Sequence, residues 1–273
     1  MKRFLFLLAL SINLCGSPRE QTRNGQNSHS FIIASIPKCG SFMIKQCAQG
    51  LVPGGDIRPP RGGYFHIRPE NTNRNHRIFS HAPYREEYAA LIQEGNYKVL
   101  LMVRDPRDQA VSLVHFTKKH PQWWNHISAL SFDDILTTWI KDASIIHTAS
   151  GVFHSDLLKN LGNVSTFFKQ YEGWTQHPET YVVHFEKLVG PDGGGSREAQ
   201  LEEIRNIANH LGVQADDAKI AKVADSLFGK SRTFRKGQVS SWRDQFTEEQ
   251  KELFKAAAGQ LLIDWGYEKS LDW

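Results

Sequence analysis

The sequence predicts one α/β domain in which a mainly parallel central sheet is flanked by helices, giving three layers. Four short apolar runs, at residues 31–36, 77–80, 98–103 and 180–185, have the length and composition of buried strands. They alternate with helical patterns, which indicates parallel pairing of the strands. A chain of 273 residues with 40% hydrophobic residues is also long enough to bury a full core.

The segments between the strands show helical periodicity or the signals of helix ends. Leu201, Ile204, Ile207 and Leu211 recur at helical spacing, for example, and are expected to face the core. A glycine-rich stretch at residues 190–196 is predicted to be a flexible surface loop. The predicted helices are Ser41–Gln49, Arg85–Gln93, Arg107–Lys118, Phe132–Ala149, Ser155–Tyr171, Glu198–Leu211, Asp216–Phe228 and Thr247–Ile263.

The N-terminal segment has the pattern of a targeting signal. Two basic side chains precede an apolar run over residues 4–14, which is short for a membrane-spanning helix. We expect residues 1–16 to form a signal peptide or short signal anchor, residues 17–29 a flexible tether, and residues 30–273 the folded domain. This organisation predicts export or a place in the lumen of the secretory pathway, with membrane association through the N-terminus; a cytoplasmic location is the alternative.

The first predicted strand runs into a loop that is suited to binding an anion. Residues 31–36 are soon followed by Lys38, Cys39 and Gly40, and Ser41 begins a helix. A strand, a tight glycine turn and a helix direct unpaired backbone amides and the positive end of the helix at one point, where Lys38 adds a charge. Such a point binds phosphate or sulfate, although strand-to-helix turns of this composition also occur without a ligand.

A second basic element follows the third predicted strand. Residues 98–103 end at Arg104, which places this side chain at the sheet edge where open α/β folds bind ligands. Ser112 lies about two turns into the next helix, on a face that can look back at that edge. The alternatives are an ordinary ion pair of Arg104 with Asp105 or Asp108, and a plain helix serine.

A third element near the C-terminus completes the pattern. A basic loop with Arg235, Lys236 and Gly237 precedes a helix whose capping box pairs Thr247 with Gln250. In this order, the three elements resemble the sulfotransferases whose donor is 3'-phosphoadenosine-5'-phosphosulfate (PAPS) and whose nucleotide product is 3'-phosphoadenosine-5'-phosphate (PAP). The resemblance covers nearly the whole chain outside the N-terminus, and it implies the sulfotransferase fold, which is similar to that of P-loop NTPases, for the folded domain.

The resemblance also implies a role for each motif residue. Lys38 would contact the phosphosulfate and stabilise the leaving nucleotide, and His81, in a Ser-His-Ala-Pro turn, would be the catalytic base. The backbone amides that would bind the 5'-phosphate are those of Cys39, Gly40, Ser41 and Phe42. The residues that would bind the 3'-phosphate are Arg104, Ser112, Arg235, Lys236 and Gly237.

The chain departs from the family pattern around the first loop and the adenine. Cys39 replaces the usual Ser, Phe42 and Met43 replace Thr and Trp, and Phe185 stands where many relatives have Tyr. Residues 224–228 are the expected place of a further adenine contact. These departures leave a second reading open, in which a sulfotransferase-like domain binds a nucleotide or a glycan without turnover.

Other classes of protein fit the sequence less well. A nucleotide kinase needs Gly-x-x-x-x-Gly-Lys-Ser/Thr and a carboxylate for magnesium, and the loop has neither. A cysteine phosphatase needs an arginine six residues after its nucleophile, where Lys45 follows Cys39. The scattered histidines and the three cysteines predict no metal site. The modest net charge of +4 fits an anion pocket and not a nucleic-acid surface.

The acceptor is left open between a small molecule and a glycan. Residues 51–77 form a long loop with five arginines, and residues 118–124 carry two tryptophans; both are candidates for the rim of the acceptor site. A solvated loop of no special function is the alternative for the first of them. The sequence predicts no oligomeric state.

Overall fold

The structure is a computed structural model, and it describes residues 29–52, 54–59, 64–67, 76–124, 126–146, 162–230 and 234–273. The predicted signal at residues 1–16 lies outside these ranges, as does the predicted tether except for its last residue. None of the helices in the described ranges combines the length and the apolar character needed to cross a membrane.

Parallel strands form the centre of the described fold, in one sheet with the order β2-β3-β1-β4-β5. Their bounds are β1 Phe31–Ser35, β2 Ile57–Arg58, β3 Arg77–Ser80, β4 Lys98–Val103 and β5 Thr180–His184. β1 lies between β3 and β4, and each of its residues is fully buried. A continuous apolar run is what a strand covered on both faces requires.

Helices cover both faces of this sheet. They are α1 Ser41–Leu51, α2 Glu87–Gly95, α3 Pro106–Lys119, α4 Phe132–Lys141, α5 Val164–Lys169, α6 Glu172–Gln176, α7 Phe185–Leu188, α8 Arg197–His210, α9 Asp217–Leu227 and α10 Glu248–Asp264. Short 3-10 helices add Ala143–Ile146, Pro191–Gly193 and Ser241–Asp244.

The side chains of β1 show how the layers form. Ile32 and Ala34 join a core with α3, α4 and α10, whereas Phe31 and Ile33 join a second core with α1, α8 and α9. Alternate residues of a strand point to opposite faces, so one short strand contributes to both cores. The predicted three-layer α/β architecture is therefore confirmed.

Three segments of the structure differ from their prediction. The helix predicted over Phe132–Ala149 ends at Lys141, because Asp142 adopts an extended conformation (φ −146°, ψ 99°) and a 3-10 turn follows. In the described part of the helix predicted over 155–171, the α-helix begins at Val164, since Asn163 caps it by accepting a hydrogen bond from the Thr166 amide at 3.1 Å. The strand β2 lies in a segment that was predicted as loop.

Candidate active site

The loop after β1 presents free backbone amides at the start of α1. The amides of Gly40, Ser41 and Phe42 donate no hydrogen bond to any described residue, whereas the Cys39 amide donates to the Ile36 carbonyl at 3.1 Å. Unpaired amides at a helix start, together with the helix dipole, favour an anion. The predicted amide cradle is therefore present at three of its four positions.

Gly40 is required by this turn for two reasons. Its φ of +102° lies in the left-handed region, where side chains are disfavoured. A Cβ there would also lie 2.7 Å from the Phe185 ring and 2.8 Å from the Met102 side chain. The Ser41 hydroxyl is turned inward and lies 2.7 Å from the Ser35 hydroxyl, so its side chain belongs to the support of the loop.

Lys38 brings an unusual cation to the same loop. Its φ of +71° is also left-handed, a conformation that costs an L-residue roughly 1–2 kcal/mol. Its ammonium lies 3.6 Å from the centroid of the Phe116 ring. Burial, and then the positive charge of Arg104, lowers the pKa of Lys38 to about 7. A half-buried lysine with this pKa gains its full charge when an anion binds beside it.

His81 follows β3 at the same edge of the sheet. Its Nδ1 lies 2.6 Å from the Ser35 carbonyl oxygen, which can only accept, so Nδ1 carries the proton and Nε2 is left as the basic atom. Burial, opposed in part by this hydrogen bond, lowers the pKa of His81 to about 4. The Tyr171 hydroxyl donates to the His81 carbonyl at 2.9 Å and fixes the backbone. The imidazole is thus neutral and oriented at neutral pH.

Arg104 ends the strand β4 and is only 6% exposed. Its Nη2 donates to the Gln238 carbonyl at 2.7 Å and lies 3.7 Å from the Asp108 carboxylate, while its guanidinium carbon lies 4.2 Å from the Phe185 ring centroid. The Nε atom is buried without a partner among the described residues. A guanidinium with one unused buried donor is a suitable ligand for an oxyanion.

The C-terminal basic loop, residues 234–240, is attached to α3 through Asp108. This fully buried carboxylate accepts hydrogen bonds from the Ser240 amide at 2.8 Å, the Ser241 hydroxyl at 2.8 Å and the Trp242 amide at 2.9 Å. From the sequence, Asp108 was expected only as an alternative partner for Arg104. Its main role is to hold the end of the loop that carries Arg235.

The glycine-rich stretch at 190–196 supports the same basic loop. Four of its residues are exposed, as predicted for a surface loop, but its contacts with the basic loop were not predicted. Pro191–Gly193 forms a 3-10 turn, and Gly193 is buried and accepts a hydrogen bond from the Val239 amide at 2.9 Å. Gln238 donates to the Asp192 carbonyl at 2.8 Å. The glycines serve close packing, since a Cβ on Gly193 would lie 2.6 Å from the Gly237 carbonyl oxygen.

These loops surround one cavity at the carboxyl ends of β1, β3 and β4. Of the predicted site residues, the structure places Lys38, Gly40, Ser41, Phe42, His81, Arg104, Arg235 and Gly237 in its lining. Cys39 is buried below the loop, Lys236 is exposed, and Ser112 is half-buried one helical turn before Phe116; none of these three lines the cavity. Lining residues that complete the set are Pro37, Met43, Gln46, Phe116, Phe185, Leu227 and Phe234.

The departures around the adenine position also meet at this cavity. Met43, Phe185 and Leu227 line it, and Leu227 belongs to the segment 224–228 in which a further contact was expected. Phe228 next to it packs edge-on against Phe234, with ring centroids 5.0 Å apart. This side of the cavity is therefore apolar, as a purine base requires.

Glu186 is a half-buried acid beside the site that was not singled out from the sequence. It accepts a hydrogen bond from the Asp105 amide at 2.8 Å, and burial raises its pKa to about 7. Glu186 is the second residue after β5. A position just after a parallel strand is the same sheet-edge signal that pointed to Arg104. In the described ranges, no three His, Cys, Asp or Glu side chains come together in a way that could hold a metal ion.

Comparison with known proteins identifies the family. A family model described as "Sulfotransferase domain" matches residues 28–266. The chain belongs to the sulfotransferase family. The resemblance drawn from the three motifs is thereby confirmed, and with it the assignment as an enzyme of sulfuryl transfer.

Curated relatives and solved structures agree with this family. Cytosolic sulfotransferase 13 of Arabidopsis thaliana is 23% identical over 251 residues, covering 79% of this chain and 71% of the relative. Sulfotransferase 6B1 of Mus musculus is 24% identical over 234 residues, covering 82% and 73%. The crystal structure of mouse sulfotransferase SULT7A1 complexed with PAP superposes with a TM-score of 0.61 at 18% identity, covering 88% of this chain and 89% of that one.

A second solved structure shows the same fold. Retinol dehydratase, in complex with androsterone and inactive cofactor PAP, superposes with a TM-score of 0.58 at 14% identity, covering 87% of this chain and 81% of that one. At such low sequence identity, the two structures are evidence for the fold alone. They confirm the sulfotransferase fold that was predicted for this chain.

Proposed function

We propose that this sulfotransferase transfers the sulfuryl group of PAPS to a hydroxyl group of a small-molecule acceptor. The observation that carries the proposal is the convergence, in one cavity, of three free amides of the α1 start with Lys38, Arg104 and Arg235. This set offers donors and positive charge to a ligand with several phosphate oxygens, next to an apolar side suited to a base. PAP in the two solved structures of the same fold supports the choice of donor.

The residues of this cavity suit the donor end in a specific way. The amides of Gly40, Ser41 and Phe42 would bind the 5'-phosphate, and Arg104 and Arg235 the 3'-phosphate, whose charge meets the unused Nε donor. When bound, PAPS supplies the sulfuryl group and a nucleotide leaving group. Ser112 and Lys236 stay predicted ligands on the family pattern, although neither lines the cavity.

Lys38 and His81 carry the proposed chemistry. His81 takes the hydroxyl proton of the acceptor at Nε2 as the new oxygen–sulfur bond forms. Lys38 compensates the negative charge that grows on the bridging oxygen as the bond between that oxygen and sulfur breaks. The residues mainly position the reactants and balance charge, as in phosphoryl transfer. Burial lowers the pKa of His81 most, and the charge of Lys38 adds a smaller part, which an anion beside Lys38 would counter.

The acceptor proposed here is a small molecule. The wall beside His81 is aromatic, with Phe79 at a ring distance of 5.3 Å and Tyr64 at 5.7 Å, and such a wall offers few hydrogen bonds to a sugar. The androsterone found with retinol dehydratase is a ring-bearing small molecule of this kind. Export through the N-terminal segment, and membrane association, stay predictions from the sequence.

Calorimetric titration of the full chain with PAP, beside adenosine-5'-phosphate, tests the donor site. We expect PAP to bind at least about tenfold tighter, because one charge-assisted hydrogen bond to the 3'-phosphate contributes about 1.5–3 kcal/mol. Equal affinities would contradict the proposed donor. Tight PAP binding without transfer of labelled sulfate to any of a panel of phenols and alcohols would favour the non-catalytic reading.

A further inference from the structure

Exposed aromatic rings cluster beside His81. Among the described residues, four large hydrophobic side chains are exposed: Phe42 at 39%, Tyr64 at 40%, Leu130 at 40% and Leu271 at 51%. Phe42 lines the cavity that contains His81, and the Tyr64 ring lies 5.7 Å from the His81 ring. Full burial of a ring of this size stabilises by about 1.5–3 kcal/mol, so two exposed rings at one place indicate a surface kept for an apolar ligand.

Phe42 and Tyr64 each pack against the buried ring of Phe79, and we call these three rings the aromatic wall. The Phe42 centroid lies 6.2 Å from that of Phe79, and the Tyr64 centroid lies 5.8 Å from it. Phe79 is buried and in turn contacts the His81 ring at 5.3 Å. The buried ring therefore holds the two exposed ones next to the proposed base.

The polar groups of the cavity belong mostly to the anion side. Lys38, Arg104 and Arg235 are the cations that face a phosphate-bearing ligand, and the Ser41 hydroxyl is already paired with Ser35. His81, which contacts the aromatic wall, is the lining group proposed to take the proton of the acceptor. An acceptor at this wall would contact the Phe42 ring and place its reacting hydroxyl at His81.

Phe42 stands at the border of the two sides. It is the second residue of α1, so its backbone amide faces the anion site while its ring joins the aromatic wall. We propose that Phe42 is a specificity-determining residue whose ring selects flat, ring-bearing hydroxyl acceptors. This inference rests on the proposed function and adds the class of acceptor to it. The chain uses one residue for both substrates: its amide for the donor and its ring for the acceptor.

The test compares two acceptors that differ in flatness but share a carbon skeleton, 2-naphthol and decahydro-2-naphthol. Phe42→Thr and Phe42→Ala keep the backbone amide and remove the ring. We expect either variant to lose about tenfold or more in kcat/KM, and in affinity, for 2-naphthol, because ring contact and burial are lost together. The loss in kcat/KM for decahydro-2-naphthol should be smaller, so the ratio of the kcat/KM values for the two acceptors changes.

PAP affinity and a surface variant serve as controls. PAP titration of both Phe42 variants shows whether the donor site survives the substitution, since the backbone amide remains. Leu271→Ala, an exposed apolar side chain outside the cavity lining, should leave kcat/KM unchanged for both acceptors. An unchanged ratio of the two kcat/KM values, which means an equal loss for both acceptors, would overturn the proposal. So would tight PAP binding without any binding of 2-naphthol to the PAP-saturated chain. Absence of PAP binding itself would instead remove the proposed function.

Discussion

At the scale of single residues, the charge state of Lys38 is the most informative property of the site. Its ammonium rests on the Phe116 ring, and burial together with Arg104 and Arg235 lowers its pKa to about 7. The free side chain is therefore largely neutral at pH 8, and the anionic ligand proposed for this cavity would counter the part of the shift that the positive charges of Arg104 and Arg235 cause.

We expect PAP binding at pH 8 to take up close to one proton, because the bound anion raises the pKa of Lys38 above the solution pH. At pH 6 the lysine is already charged, so the uptake through this group should fall to near zero. Calorimetric titrations in two buffers with different ionisation enthalpies measure the uptake. Lys38→Ala should abolish it together with transfer, and an uptake that survives in this variant would assign the proton to another group.

His81→Asn separates the proposed role as a base from the structural role of this side chain. An asparagine amide can still donate to the Ser35 carbonyl, but it has no basic nitrogen. We expect kcat to fall by about 10²–10⁴, the usual contribution of a general base, while PAP binds as before. Transfer assays and PAP titration measure the two effects. A variant that stays folded but no longer binds PAP would place His81 on the donor side instead.

At the scale of elements, the basic loop 234–240 depends on supports from other parts of the chain. Asp108 accepts hydrogen bonds at the end of the loop, the turn Pro191–Gly193 binds Gln238 and Val239, and Arg104 binds the Gln238 carbonyl. The loop is positioned before any ligand arrives, which reduces the entropy lost on binding.

Asp108→Asn should weaken binding of PAP by about tenfold or more. The NH₂ group of asparagine is itself a donor, and it would face an N–H or O–H group that now donates to the carboxylate. The affinity for adenosine-5'-phosphate, which has no 3'-phosphate, should fall much less. Titration with both nucleotides gives the result. Ser241→Ala, which removes one of the three hydrogen bonds without a charge, should show a smaller loss of the same kind. An equal loss for both nucleotides would mean a general disturbance of the fold.

The elements also show what the sequence could predict. The strands at 77–80 and 98–103 were predicted at their observed bounds, because short apolar runs with sharp ends depend on local composition. The contacts of the glycine-rich stretch at 190–196 could not be predicted, because they are made with Gly237 and Val239, far away in sequence. The sequence motifs predicted the charged residues that line the cavity. The support by Asp108 and the position of Phe116 in the lining could not be predicted, because both depend on tertiary packing.

At the scale of the whole molecule, a buried arginine ties the C-terminal segment to the frame of the site. Arg107 is 2% exposed, pairs with Asp105 at 2.8 Å and Glu268 at 2.6 Å, and lies between the rings of Trp242 and Trp273 at 4.0 and 4.4 Å. It therefore joins the start of α3 to residues beyond α10.

Arg107→Met should lower the free energy of unfolding by about 3–5 kcal/mol, because two partly buried carboxylates lose their shared cation. Urea denaturation measures the change. Lys255→Met is the matched control: this lysine lies 5.1 Å from the Trp273 ring and pairs with exposed Glu252, so its loss should cost at most about 1 kcal/mol. Equal effects of the two substitutions would show that the buried network contributes no more than a surface pair.

The cavity draws its lining from segments that are distant in the chain. Lys38 lies near the start of the described fold and Arg235 near its end, and the sheet brings them together. A nucleotide that contacts both acts as a non-covalent cross-link, which closes a very long loop of the polypeptide. At a ligand concentration 100 times Kd, this cross-link adds about 2.7 kcal/mol to the free energy of global unfolding. Resistance to proteolysis thus becomes a measure of how much donor nucleotide surrounds the enzyme.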